Sequence, residues 1–95
     1  MADDVLIREM GATLQEFRHG LRLAFPAGIT ERDDGFQVTD GDATLDISLE
    51  TLPPRVIALL QVPRLKVTLR FTGGSPGQQS ALLARMDRAM QRGGG

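Results

Sequence analysis

The chain of 95 residues has no cysteine, no tryptophan and no tyrosine, and its only aromatic side chains are four phenylalanines. Without cysteine it has no disulfide, no thiol nucleophile and no thiolate metal ligand. A single histidine, His19, leaves no histidine-rich metal site and no obvious partner for nucleophilic catalysis. We therefore predict a surface position for His19 on a helix, and we expect no bound cofactor.

Neither sign of charge dominates, because 11 basic residues face 12 acidic ones and the net charge is −1. Nucleic-acid recognition needs uncompensated basic clusters, so we expect no nucleic-acid partner. No apolar run approaches the roughly 20 residues that span a bilayer, and the acidic start does not resemble a signal peptide. We expect no membrane partner and a cytoplasmic location. Lys66 is the only lysine beside ten arginines, a skew typical of a GC-rich bacterial genome.

The chain also lacks the G-x-G-x-x-G, P-loop, H-E-x-x-H and G-x-S-x-G motifs, so no enzymatic activity is predicted. Its length suits a single domain with one modest core, in which 41% of residues are apolar. We assign residues 1–92 to this domain and predict that residues 93–95, all glycine, form a disordered tail.

Two amphipathic helices are predicted, each behind a capping box. Thr13 with Glu16 opens the first helix, and Ser75 with Gln78 opens the second. Apolar residues follow at helical spacing in both segments: Leu14, Phe17, Leu21, Ala24 and Phe25, then Leu82, Leu83, Met86, Ala89 and Met90. Gly20 lies inside the first helix, and we interpret it as a point of close approach to another element.

Strand patterns occupy most of the remaining chain. Leu65, Val67, Leu69 and Phe71 alternate with polar residues, and turns at Asp33-Asp34-Gly35 and Asp40-Gly41 separate three earlier segments. These segments are Ile29–Arg32, Phe36–Thr39 and Ala43–Glu50. We predict an α+β fold of two layers: an antiparallel sheet of about four strands, a candidate extra strand at Val5–Ile7, and both helices on one face.

The segment Arg55–Val62 has apolar residues at both odd and even positions, so periodicity does not distinguish a strand from a short helix capped by Thr51. We favour a strand because the run is short, carries three β-branched residues and abuts Pro63. Leu52-Pro53-Pro54 is expected to break the sheet before it, and Pro63-Arg64 to connect it to the next strand. With either face of this strand toward the helices, large aliphatic side chains remain on the open face. Homodimerisation through the sheet would cover them, with the flanking acidic and basic rows paired across the dimer, and the alternative is coverage by Val5–Ile7. The interface candidates are Val56, Ile57, Leu59 and Leu60.

Three further patterns are candidates for anion or metal binding. Arg85, Arg88 and Arg92 line one helix face and could bind an anion, or could simply stabilise the helix dipole. Met86 and Met90 lie four residues apart, and we interpret them as core rather than as metal ligands. The carboxylates do not match a calcium loop, and we interpret them as turn residues: Asp33, Asp34, Asp40, Asp42 and Asp46.

The tail Gln91-Arg92-Gly93-Gly94-Gly95 resembles the glycine terminus of ubiquitin-like and sulfur-carrier proteins. In that family a strand leads into the tail and the last glycine is activated as an adenylate; here a predicted helix leads into it. Three functions therefore stand in order. The first is a non-catalytic interaction module that pairs through its sheet with itself or another protein. The second is a domain that binds a small molecule or anion in the cleft between the sheet and the helices, with the arginine row. An enzyme is third, and a carrier protein is a minor alternative.

Overall fold

The computed structural model describes the backbone of residues 5–93 and the side chains of residues 5–90. The elements in chain order are β1 Val5–Met10, α1 Leu14–Ala24, β2 Ile29–Arg32, β3 Gly35–Asp40, β4 Ala43–Ile57, β5 Leu60–Gly73 and α2 Pro76–Gly93. The strands form one antiparallel sheet in the order β1-β5-β4-β3-β2. The α+β prediction is confirmed. The candidate strand Val5–Ile7 is part of β1, which makes five strands instead of about four.

Both helices begin at the predicted caps. In α1 the Thr13 hydroxyl accepts from the Glu16 N–H at 3.1 Å, and Glu16 Oε1 accepts from the Thr13 N–H at 2.8 Å. In α2 the equivalent pair is Ser75 with Gln78, at 3.2 Å and 2.8 Å. Each box satisfies two backbone donors that the helix cannot satisfy itself. At the other end of α2, Gly93 is its last residue, whereas Gly94 and Gly95 of the predicted disordered tail lie outside the described residues.

The core lies between the two helices and one face of the sheet. Cross-strand pairing places Ile47 opposite Leu69 and Leu49 opposite Val67, so that alternate residues of β4 and β5 point to the same side. Each large aliphatic side chain buried there contributes about 1.5–3 kcal/mol relative to exposure. The largest buried side chains are Phe17, Leu21, Leu45, Leu65, Leu69, Leu82, Met86, Val38 and Val67.

Gly20 lies where α1 meets α2. A Cβ atom at this position would be 2.6 Å from Sδ of Met90, so a larger residue would push the helices apart or displace the methionine. The predicted close approach is therefore confirmed.

Residues 52–64 depart from the sequence prediction. Leu52-Pro53-Pro54 does not end the sheet, because β4 continues through it to Ile57. The chain reverses at Ala58-Leu59, and Pro63 lies inside β5. The separate strand Arg55–Val62 and the connection at Pro63-Arg64 were thus wrong.

The physical reason is a β-bulge. Leu52 pairs with Arg64 and Arg55 pairs with Val62, so Pro53 and Pro54 together oppose the single residue Pro63. A bulge leaves ladder positions unpaired, and a residue without an N–H is tolerated there.

Beyond this bulge the β4–β5 hairpin leaves the rest of the sheet. β3 pairs with β4 only as far as Ser48, and β1 pairs with β5 only from Leu65 onward. Between these limits β4 and β5 pair only with each other. We call residues 50–64 the arm. The molecule is correspondingly elongated, with extents of 45 × 29 × 24 Å.

Candidate functional site

The end of the arm carries the three most exposed large apolar side chains of the described chain and a fourth that is more than half exposed. Their exposed fractions are 65% for Val56, 53% for Ile57, 100% for Leu59 and 68% for Leu60. We call these four residues the arm tip. They are the four interface candidates that the sequence indicated, and each aliphatic group left in water forgoes about 1.5–3 kcal/mol of burial.

Local geometry explains why Leu59 is so prominent. The turn has only two residues, and Ala58 adopts a positive φ of 55°, a conformation that glycine usually takes in such hairpins. Leu59 therefore lies at the apex of a tight reversal, where no neighbouring strand can cover it. Residues 56–63 contain no charged side chain. A strained turn here presents aliphatic groups instead of the polar residues that turns normally carry.

Two expectations about this segment are overturned. We expected one face of Arg55–Val62 to pack on the helices, but both faces of the arm tip are exposed. The alternative, that Val5–Ile7 folds over the open side, is also wrong. β1 pairs edge to edge with β5, and Val5 lies opposite Arg70 within the sheet.

The two faces of the arm differ in composition. Ile57 pairs with Leu60 and Arg55 pairs with Val62, so these four residues share one face. This face continues the side of the sheet that the helices leave open, since Leu65 points to the core and Val62 has the opposite parity. The other face carries Val56 and the polar Gln61. One face of the arm thus has three aliphatic residues beside a single charged residue, Arg55, and the other face is mixed. We call Ile57, Leu60 and Val62 the aliphatic stripe.

A depression of about 250 Å³ lies at the root of the arm. Its apolar lining comes from both the arm and the end of β1, and its polar rim includes Glu9, which forms a salt bridge with Arg64. We call this depression the base groove. The lining residues are Glu9, Met10, Gly11, Arg55, Ile57, Val62, Pro63 and Arg64.

Acidic residues on the open face of the sheet lie opposite basic residues of the same chain. Asp46 lies opposite Arg70 and Glu50 lies opposite Lys66 on the neighbouring strand. Asp46 also accepts a hydrogen bond of 3.2 Å from the Gln37 side chain. These acidic and basic rows, which we expected to pair across a dimer, already have cross-strand neighbours of opposite charge. The uncovered apolar surface is concentrated on the arm instead.

Arg85 and Arg88, two of the three arginines proposed to bind an anion, lie between the helices and not between the helices and the sheet. Arg85 and Arg88 line an open depression of about 290 Å³ together with Leu23, Ala24 and Ala89. Arg85 is already engaged: its Cζ lies 5.1 Å from the Phe25 ring centroid and its Nη1 lies 3.5 Å from Oδ2 of Asp40. The side chain of Arg92 lies outside the described residues. The structure thus brings together two members of the predicted row.

The remaining candidates occupy ordinary structural positions. His19 is exposed on α1, Met86 is buried in the core, and Asp33-Asp34 forms the turn between β2 and β3. Among residues 5–93, no group of three His, Asp or Glu side chains converges as metal ligands would. Neither helix in that range has an apolar stretch of the length that a bilayer requires.

Sequence reasoning missed the base groove, including Met10, Gly11 and Val62. A usable signal was present. Prolines occur on both sides of Ala58-Leu59 at similar distances, and the run between them carries a single charged residue, Arg55, as in a hairpin whose outer edges are unpaired.

Comparison with protein-family models, with curated proteins and with solved structures finds no match to this chain.

Proposed function

We propose that this chain is a non-catalytic interaction module that forms a homodimer through the arm. The observation that carries this proposal is the complete exposure of Leu59 at the apex of a charge-free segment. Solvent-exposed loops are normally polar, and contiguous exposed apolar surface marks sites of protein association. The arm also contributes little to the core, so its aliphatic residues are not explained by folding.

The composition of the arm tip favours a second copy of the chain over a transient partner. Energetically dominant residues of transient interfaces are enriched in Trp, Tyr and Arg, whereas leucine and valine are under-represented. Homodimer interfaces are more apolar and resemble a divided core. The arm tip contains only aliphatic residues. A two-fold dimer also needs only one patch that is complementary to itself.

Light scattering at micromolar concentration tests the proposal. The wild-type protein is expected to have the mass of a dimer, and a Leu59→Asp/Leu60→Asp double variant is expected to be a folded monomer. Both side chains are largely exposed, so neither aspartate enters the core. Leu23→Asp on α1, where the leucine is 57% exposed, is the matched control and should remain dimeric. A monomeric wild-type protein would contradict the proposal.

Anion binding between the helices is a second candidate, supported by the position of Arg85 and Arg88 in one depression. Inorganic phosphate would then shift the NMR signals of α2, and Arg88→Gln would abolish that shift. An equal response from the variant would rule this function out. For either function we propose a cytoplasmic setting, with which the absence of cysteine is compatible.

A further inference from the structure

Resting on the proposed homodimer, we infer that the two arms stack face to face and antiparallel, so that each Leu59 enters the base groove of the partner copy. Four observations support this arrangement. They are the area available at the arm tip, the aliphatic stripe on one face, the prolines along the arm and the position of the groove.

Contact between two arm tips alone is too small for a stable dimer. A standard interface buries about 800 Å² on each partner. Neighbouring strands lie only about 5 Å apart, so two narrow ribbons meeting end to end bury the turn residues and little else. Stacking the two arms face to face also buries surface along the length of each arm. Leu59 precedes Arg64 by five residues, which is about 17 Å of extended chain.

The aliphatic stripe determines which faces meet. Ile57, Leu60 and Val62 project from the same side of the arm, beside Arg55, and the opposite side carries Gln61. Stacked β-layers pack about 10 Å apart through interdigitating apolar side chains. A two-fold axis level with the Val56–Gln61 pair places Leu60 of one copy over Val62 of the other and Arg55 over Ile57, so that the two Arg55 side chains are not directly opposed.

The prolines oppose the alternative in which strands join edge to edge. Along the arm, where neither strand has a second neighbour, β4 contains Pro53 and Pro54 and β5 contains Pro63. A proline has no N–H to donate and is a recognised protection of exposed strand edges. Association through side chains of the face is therefore favoured over an intermolecular ladder.

The base groove is positioned to receive the apex. An antiparallel stack about that axis brings Leu59 to the level of the partner's Gly11 and Pro63, where the groove of about 250 Å³ opens. Leu59 meets Met10, Val62 and Pro63 there, and the charged residues of the lining form the rim around them. Both copies make the same contact because the axis is two-fold.

Because the chain has no cysteine, engineered thiols can test this register. The double variant Leu59→Cys/Gly11→Cys should form disulfides between copies. Its two positions lie too far apart along the arm for a bond within one chain, which needs Cα atoms within about 7 Å. A Cβ at position 11 makes only ordinary contacts of 3.8 Å, so that substitution is tolerated. Linkage should be roughly tenfold or more faster than for the control Leu23→Cys/Gly11→Cys, since thiols in a bound complex have a high effective concentration.

A second variant avoids cysteine. Gly11→Phe fills the base groove, leaves the arm tip unchanged, and should raise the dimer dissociation constant by roughly tenfold or more. Peptide mapping that joins position 59 to position 11 supports the stacked arrangement. Rapid linkage of the Leu59→Cys single variant to itself, with a dimer unaffected by Gly11→Phe, would overturn the stacking but leave the homodimer intact. A monomeric wild-type protein would overturn both.

Discussion

At the scale of single residues, Gly20 shows how a local cost serves the packing of the whole domain. A glycine inside a helix lowers helix stability by about 1 kcal/mol relative to alanine. Here the missing side chain allows Met90 of α2 to lie against the backbone of α1. Gly77, in the first turn of α2, has only the Ser75 hydroxyl near its hypothetical Cβ, at 4.0 Å. The two glycines thus differ strongly in their tertiary surroundings.

We predict opposite effects of alanine at these two positions. Gly77→Ala should raise the free energy of unfolding by up to about 1 kcal/mol through helix propensity. Gly20→Ala should lower it by about 1 kcal/mol, since overpacking a core typically costs 1–3 kcal/mol and exceeds the propensity gain. Urea denaturation of both variants measures the difference. Stabilisation by Gly20→Ala would show that α1 and α2 are not in close contact.

At the scale of elements, both helices begin at reciprocal caps. Thr13 and Ser75 each accept a hydrogen bond from the backbone N–H three positions later, and the side chain of that later residue accepts one from the N–H of the cap. The strand β1 is held by ion pairs to distant parts of the chain. Arg8 forms a salt bridge with Asp87 of α2, and Glu9 forms one with Arg64 of β5. These side-chain contacts position the ends of elements whose centres are held by the core.

We expect Thr13→Ala and Ser75→Ala each to lower the free energy of unfolding by roughly 0.5–2 kcal/mol, because a backbone donor loses its partner. Ser80→Ala is the matched control. Ser80 is exposed within α2, where alanine is the better helix former, so its removal should be neutral or slightly stabilising. Chemical denaturation of the three variants measures these changes in the free energy of unfolding. Equal stabilities for Ser75→Ala and the wild type would place the start of α2 elsewhere.

At the scale of the whole molecule, the domain and the arm are separable parts. All the buried apolar residues lie outside residues 50–64, in the helices, the adjoining Phe25 and the five-stranded part of the sheet. The arm tip adds exposed aliphatic surface without adding to that core. This separation agrees with the proposed role of the arm in association.

Replacing Val56–Gln61 by Asn-Gly should therefore shorten the arm without unfolding the domain. Asn-Gly is a favoured two-residue hairpin turn and would join Arg55 directly to its partner Val62. We expect the variant to be monomeric and to keep the wild-type circular dichroism spectrum, which light scattering and spectroscopy can check. An unfolded product would mean that the arm is part of the folding unit. A folded dimer would locate the interface outside the arm tip.

Sequence patterns alone predicted the helix starts, the core face of β5 and the two hairpins of β2, β3 and β4. These features rest on local physics. A capping box involves residues three apart, and the alternation of Leu65, Val67 and Leu69 directly reports a sheet buried on one side. The four aliphatic residues of the arm tip were also identified from sequence, because an apolar run on both parities cannot be covered by one layer of helices.

That these residues form a projecting arm could be read only from the tertiary structure. Whether Pro53 and Pro54 end a strand depends on whether a neighbouring strand needs their missing N–H groups, and that depends on where β3 stops. Because β3 ends opposite Ser48 and β1 ends opposite Leu65, the prolines meet no strand on their outer edges, and β4 continues past them. Such limits are set by pairing between segments distant in the chain, which periodicity within one segment does not record.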